Sequence, residues 1–316
     1  MKTILHIGLP KSGSKFLQKK IFQKIKNSIY IDILDKRLID IMYLDAMEFE
    51  KKKIQENLYN FDQKKENLII SSESITISVK YDQFILCDRL HKVLKSPVVL
   101  IILRNQFDFI RSYYLQNIDG GAYISFEKFL KYNFLNYQTE LFPKLDYYNL
   151  CSYYANKFGK NNVKVVLYEE LFDKNKVFNS KLFQENIQLN IEDLDIEPEI
   201  LNIAFPTQLL LMRRFLNYLL KYDNGLGRYD LPTRGINEKY DFSFKLYYKL
   251  ILSKMFKLKI LTKLFKKKKL KIKKEYYNQI FEIYAESNTK LEKEFKLNLT
   301  LNNYPTIINN QKNKLI

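Results

Sequence analysis

The stretch Leu5-His6-Ile7-Gly8-Leu9-Pro10-Lys11-Ser12-Gly13-Ser14-Lys15-Phe16-Leu17 decides how the chain is read. Ile4 to Ile7 is an apolar run of strand length, Gly8 and Pro10 break it, and a polar turn leads into a helix predicted from Phe16 to Ile25. A strand, a tight loop and a helix N-terminus make an anion cradle. The free N–H groups of the first turn and the positive end of its dipole favour a phosphate or sulfate, and Gly13 lets the backbone come close. Lys11 and Lys15 add full charges.

Further apolar runs follow at intervals. Asn27 to Leu34 reads as a short strand. Asn67 to Glu73 reads as a buried strand that delivers Glu73 at its carboxyl end, where ligands collect in open α/β sheets. Val98 to Leu103 is the clearest buried parallel strand and ends at Arg104-Asn105, and Val163 to Tyr168 is another, followed by Glu169-Glu170. Helices are predicted over Lys36 to Asn57, Tyr81 to Lys95, Phe107 to Asn117, Phe126 to Tyr137 and Asp146 to Phe158. This alternation predicts an α/β fold of three layers, a central parallel sheet flanked by helices. From Pro206 the pattern turns helical, apart from the Gly-rich loop Asn224 to Gly235. With no repeat or linker, the expectation is one domain over 1–316, with an α/β core over 1–200 and a mainly helical part over 201–316.

A chain of 316 residues, 46% hydrophobic, can bury a substantial core. Its two cysteines, Cys87 and Cys151, make no disulfide framework and lack metal-ligand spacing, which fits a reducing compartment. The short apolar start lacks a signal peptide's hydrophobic region, so a cytoplasmic location is expected. The longest purely apolar run, Val98 to Leu103, falls far short of the roughly 18 residues of a membrane span.

The formal charge of +18 is unevenly spread: Ile251 to Lys274 holds eleven lysines and no acid, leaving +7 for everything else. There the lysines alternate with Phe256, Ile260, Leu261, Leu264 and Phe265, the composition of a helix lying on an anionic membrane or of a solvated helix packed on its own domain. The inner face of the membrane is the expected site for such a peripheral contact. Nucleic acid is the weaker reading, because the lysines sit beside aliphatic residues rather than stacking aromatics. A genome rich in A and T accounts for much of the lysine equally well.

Gly8 and Gly13 nearly fit the Walker A pattern G-x-x-x-x-G-K-[ST], but Ser14-Lys15 reverses its ending and the useful lysine comes early, at Lys11. No strand end clearly offers the Asp that a nucleotide hydrolase needs for magnesium. Pro10-Lys11-Ser12-Gly13-Ser14 instead resembles the first loop, P-K-[ST]-G-[ST]-T, of sulfotransferases that use 3'-phosphoadenosine 5'-phosphosulfate (PAPS). Arg104-Asn105-Gln106-Phe107-Asp108 through Ser112 is similar to their second signature, R-N-P-x-D with a serine eight residues after the arginine. His6-Ile7-Gly8 and Gln18, Ser71-Ser72-Glu73, Phe158-Gly159 through Tyr168-Glu169, and Tyr284 through Asn288 to Leu291 extend the likeness to bacterial members, weakly after Ile200. Two departures stand out, Gln106 for the usual Pro and Lys15 for the second Thr.

The resemblance implies a P-loop-like fold and a PAPS-dependent transferase without a metal. It places Lys11, Ser12, Gly13 and Ser14 around the 5'-phosphosulfate, with Arg104 and Ser112 on the 3'-phosphate. Lys11 is the expected stabiliser of the leaving phosphate oxygen, and Glu73 the expected general base or acceptor-binding residue, with a carboxylate that orients Lys11 or caps a neighbouring helix as the alternative. Lys15 either adds charge to the cradle or points outward. His6, within the first strand, reads as a buried hydrogen-bonded residue before it reads as a base, and His91 as structural. Arg228 and Arg234 are candidates to close the Gly-rich loop over the nucleotide. The expected acceptor is a hydroxyl or amine of a glycan or other cell-surface metabolite. Two other readings stand beside this one: an ATP-dependent P-loop phosphotransferase and a non-catalytic basic peripheral membrane protein.

Overall fold

The computed structural model describes residues 2–51, 67–77, 82–137, 141–172, 178–187, 207–219 and 269–314. The Gly-rich loop with Arg228 and Arg234, and the lysine-rich segment as far as residue 268, lie outside them. The chain divides into two compact units, one of residues 1–109, 137–201 and 278–316 and one of residues 110–136 and 202–277.

The first unit is built on a parallel five-stranded sheet. β1 (Thr3–Gly8), β2 (Ser28–Ile31), β3 (Asn67–Ser72), β4 (Val98–Leu103) and β5 (Val163–Leu167) lie in the order β2-β3-β1-β4-β5. β1 is central and fully buried, which is why it carries no solvent-facing polar alternation. Ile7 pairs with Ser72, Gly8 with Ile102, and Leu103 with Leu167, so the carboxyl ends of four strands finish level. On one face Ile4, Ile69, Leu100, Ile102 and Val166 pack against Phe16, Leu17, Ile21, Phe22, Phe183 and Ile187. On the other, Leu5, Ile7, Ile70, Val99 and Ile101 are equally buried; there the helix Tyr147–Phe158 packs on β4 and β5 and against the helix Gln83–Val93. Helices on both faces give the three layers expected from the alternation of strands and helices.

Boundaries moved where local chemistry asked for it. The first helix begins at Ser14, two residues earlier than predicted, then widens over Leu17–Ile21, where the Phe22 N–H reaches the Leu17 carbonyl, and tightens over Phe22–Lys24. Lys36 to Asn57 is not one helix in its described part: Lys36–Tyr43, capped by Asp35, ends before Ala46–Lys51 begins. β5 stops at Leu167, and Tyr168–Leu171 is a helical turn. The chain's last described helices return to the sheet unit: Tyr284 of Lys274–Phe295 donates to the Phe142 carbonyl at 2.8 Å.

In the second unit the described helices are the distal part of Gln106–Gly120, Phe126–Leu135 and Thr207–Leu219. The last of these turns polar groups inward. Arg213 pairs with Asp119, and Asn217 Nδ2 donates to the carbonyls of Ile118 and Ala122, both at 2.9 Å. Its outward side carries Met212, Phe215 and Tyr218, all more than half exposed. Among the described residues no helix is long and apolar enough to cross a membrane.

Candidate functional site

β1 connects toward β2 on one side of the sheet and β4 toward β5 on the other, so the chain changes direction between β1 and β4. A crevice opens at such a point beyond the carboxyl ends of the strands. The loop after β1 and Arg104 after β4 meet there. Arg104 Nη1 donates to the Lys11 carbonyl at 2.5 Å.

The loop is held by its own polar groups. The Ser12 hydroxyl and the Ser12 N–H, at 3.3 Å, both turn back to the Leu9 carbonyl, so Ser12 closes the turn from within. Lys11 adopts a left-handed conformation, φ 64°, which costs a residue with a Cβ roughly 1–2 kcal/mol. Gly13 is left-handed as well, φ 87°, and caps the helix with no side chain to offer the N–H groups of Ser14 and Lys15, which have no intrahelical partner by position. A Cβ on Gly13 would lie 2.5 Å from Phe172 Cε2. The Phe172 ring is itself held edge-on by Phe16 and against Tyr168 and Phe178. Lys11 and Lys15 are exposed, and Ser14 is buried, its hydroxyl without a hydrogen bond of ordinary geometry to any described residue.

Glu73 follows β3 and stands one residue beyond the Ile7–Ser72 pair, level with Gly8. Burial raises its carboxyl pKa; Lys15 first, then the Ser14 hydroxyl and Lys11, oppose the rise. The charge of Lys15 thus acts on the carboxylate. Thr76 fixes the turn behind it, donating to the Gly8 carbonyl at 2.6 Å.

Arg104 is anchored at its backbone and at its guanidinium. Its guanidinium lies 4.9 Å above the Tyr168 ring, and its carbonyl accepts from Tyr147 Oη at 2.7 Å. Its buried Nε has no hydrogen-bond partner among the described residues. The next residue, Asn105, donates its N–H to Glu169 Oε1 at 3.0 Å, and Tyr304 Oη donates to the other oxygen at 2.8 Å. Asn105 Nδ2 reaches the Asn303 carbonyl at 2.8 Å while its Oδ1 caps the following helix at the Phe107 N–H. Gln106 is fully buried and donates to Asn288 Oδ1 at 3.0 Å, and Asn288 holds the Pro305 carbonyl at 2.8 Å. The residue standing where the resembling family has Pro is therefore a buried tie to the helix Lys274–Phe295.

His6 is fully buried. Its Nδ1 shares a 2.7 Å hydrogen bond with Ser71 Oγ, the Ser71 hydroxyl accepts from Gln18 Nε2 at 3.1 Å, and burial lowers the His6 pKa to about 3. The lowered pKa favours the neutral ring, which lies against Ser71 and Phe22. His91 sits exposed with its ring 5.4 Å from Phe158. Ser112 is half-buried on Gln106–Gly120, in the second unit, and Arg228 lies outside the described residues. The sheet therefore brings together Lys11, Ser12, Gly13, Ser14, Lys15, Glu73 and Arg104. Glu169 stands in the stretch that carries the likeness from Phe158 to Glu169, but its pairing with Tyr304 and the task of Phe172 had no sequence signal. Among the described residues, no group of three or more His, Cys, Asp or Glu side chains is placed to hold a metal ion.

No protein-family model matches the chain, and no curated protein sequence does. Among solved structures, it is similar to a sulfotransferase from Alicyclobacillus acidocaldarius, at 16% identity and a TM-score of 0.44, over 70% of this chain and 96% of that one.

Proposed function

We propose that the chain is a sulfotransferase that moves a sulfuryl group from PAPS to a hydroxyl or amine of a glycan or other cell-surface metabolite. The observation that carries this reading is the meeting of Arg104 with the Lys11 loop at the β1–β4 crevice, with Glu73 on the adjoining strand end. The buried Arg104 Nε, without a hydrogen-bond partner among the described residues, and the buried Ser14 hydroxyl beside Glu73 are polar groups suited to phosphate and sulfate oxygens.

The roles follow from charge flow. The acceptor oxygen or nitrogen forms a bond to sulfur as the bond from sulfur to the bridging oxygen of the 5'-phosphate breaks, and the electron pair stays on the leaving phosphate. Lys11 and the N–H groups of Ser14 and Lys15 stabilise that growing charge. Glu73 takes the acceptor's proton, and its raised pKa makes it a stronger base than an exposed carboxylate. Arg104 and Ser112 are assigned to the 3'-phosphate, and Arg228 to closure over the nucleotide. Transfer of label from PAPS to an acceptor pool, with equilibrium binding of adenosine 3',5'-bisphosphate, tests the reading. Binding of ATP as tight as that of the bisphosphate would overturn it.

A cytoplasmic enzyme that touches the inner membrane surface is part of the proposal. The outward Met212, Phe215 and Tyr218 and the lysines of 251–274 are an apolar and a cationic element suited to anionic lipid. Flotation with phosphatidylserine vesicles that survives replacement of those three side chains by serine and deletion of 254–268 would overturn this part.

A further inference from the structure

We infer that Arg104 is also the positioning residue of the Lys11 loop, so that one guanidinium both reads the nucleotide's 3' side and sets the geometry of the 5' cradle. The inference rests on the function proposed above but adds a role for Arg104 that acts through backbone rather than through a 3'-phosphate.

Lys11 is the one loop residue with a Cβ and a left-handed φ of 64°, a conformation that persists only when its surroundings hold it. Arg104 Nη1, at 2.5 Å from the Lys11 carbonyl, is a tertiary contact to that residue's backbone from across the crevice, 93 residues away in sequence. The orientation of that carbonyl sets the peptide plane between Lys11 and Ser12, and the loop from there to the first helical turn presents the N–H groups of the cradle. Arg104 can act as a strut because it is itself immobilised. Tyr168 lies under its guanidinium, Tyr147 holds its carbonyl, and the Glu169 carboxylate, shared between the Asn105 N–H and the Tyr304 hydroxyl, pins the next residue. A side chain needed only to meet an exposed phosphate has no use for a bond to the loop carbonyl.

The test uses ligands that separate the two roles. Adenosine 5'-monophosphate carries the 5'-phosphate and lacks the 3'-phosphate; adenosine 3',5'-bisphosphate carries both. Equilibrium binding of each is measured for the wild type, Arg104→Ala and Arg104→Lys. Positioning predicts that Arg104→Ala weakens the monophosphate about tenfold or more, the equivalent of losing one charge-assisted hydrogen bond. It also predicts a larger loss for the bisphosphate and partial recovery of the bisphosphate alone in Arg104→Lys, which keeps the charge without the planar fork. Monophosphate affinity unchanged in Arg104→Ala overturns the inference while leaving the proposed function standing. Equal wild-type affinity for the two nucleotides counts against that function, and the monophosphate comparison still decides the role of Arg104. Tyr168→Leu, which removes the ring beneath the guanidinium, is expected to weaken monophosphate binding in the same direction. It supplies the answer if Arg104→Ala does not fold, and an unchanged monophosphate affinity in this variant likewise overturns the inference.

Discussion

Gly13→Ala is expected to destabilise the sheet unit by about 2–5 kcal/mol and to abolish nucleotide binding. The magnitude has two independent parts. A Cβ in the left-handed conformation at φ 87° costs roughly 1–2 kcal/mol. The same Cβ would stand 2.5 Å from Phe172 Cε2, and that ring, packed by Phe16, Tyr168 and Phe178, moves only by displacing its neighbours, an overpacking cost of roughly 1–3 kcal/mol. A double-mutant cycle with Phe172→Leu separates them, because the smaller side chain relieves the clash and leaves the backbone part. Unfolding in urea followed by circular dichroism, with binding of adenosine 3',5'-bisphosphate on the same samples, reads both outcomes. A cost for Gly13→Ala below about 0.5 kcal/mol, or no coupling to Phe172, would refute the account of the loop.

Four further outcomes are expected. Lys11→Gly and Lys11→Ala both lose sulfuryl transfer by about 10²–10³-fold, as expected for removal of one transition-state donor. The glycine variant is nonetheless the more stable of the two, by about 1 kcal/mol, because it relieves the left-handed backbone; equal melting temperatures would contradict the strain at Lys11. The acid limb of the transfer rate follows Glu73, whose raised pKa brings loss of activity at a higher pH than an ordinary carboxylate would. Lys15→Gln removes the largest charge opposing that rise and moves the limb to still higher pH, so a limb that stays put or moves down argues against Glu73 as the base. By the same raised pKa, the contribution of Glu73 to stability is complete below its unfolded pKa and is lost as pH rises through the folded one, so Glu73→Gln raises the melting temperature at neutral pH and has no effect in acid. Gln106→Ala leaves Asn288 Oδ1 buried without its donor and costs about 1–3 kcal/mol; thermal unfolding unchanged within half a degree would show the tie to be idle.

Much of the fold is legible in the sequence, because a buried parallel strand writes itself as an unbroken apolar run. Ile4 to Ile7 and Val98 to Leu103 appear as strands, and the expected Asn67 to Glu73 and Val163 to Tyr168 each end one residue early, at Ser72 and Leu167. The short β2 lies inside the expected Asn27 to Leu34, where alternation is weak because the strand is only partly covered. His6 and Gln18 look like parts of an anion loop in the sequence and prove to share Ser71 behind it, since neither side chain's direction is encoded in its spacing.

The sequence by itself determined the strand–loop–helix with its glycine, the strand ends bearing Glu73 and Arg104, and the charges available there. Local patterns suffice for these, because period, chain breaks and residue chemistry act within a few neighbours. Only the tertiary structure decided that β1 lies between β3 and β4, and hence that Glu73 and Arg104 flank the Lys11 loop. It alone showed Phe172 closing the space beside Gly13 and Tyr304 completing Glu169 from the far end of the chain. Strand order and long-range contacts are set by which faces bury together across the sheet, a property of the assembled core that no single stretch carries.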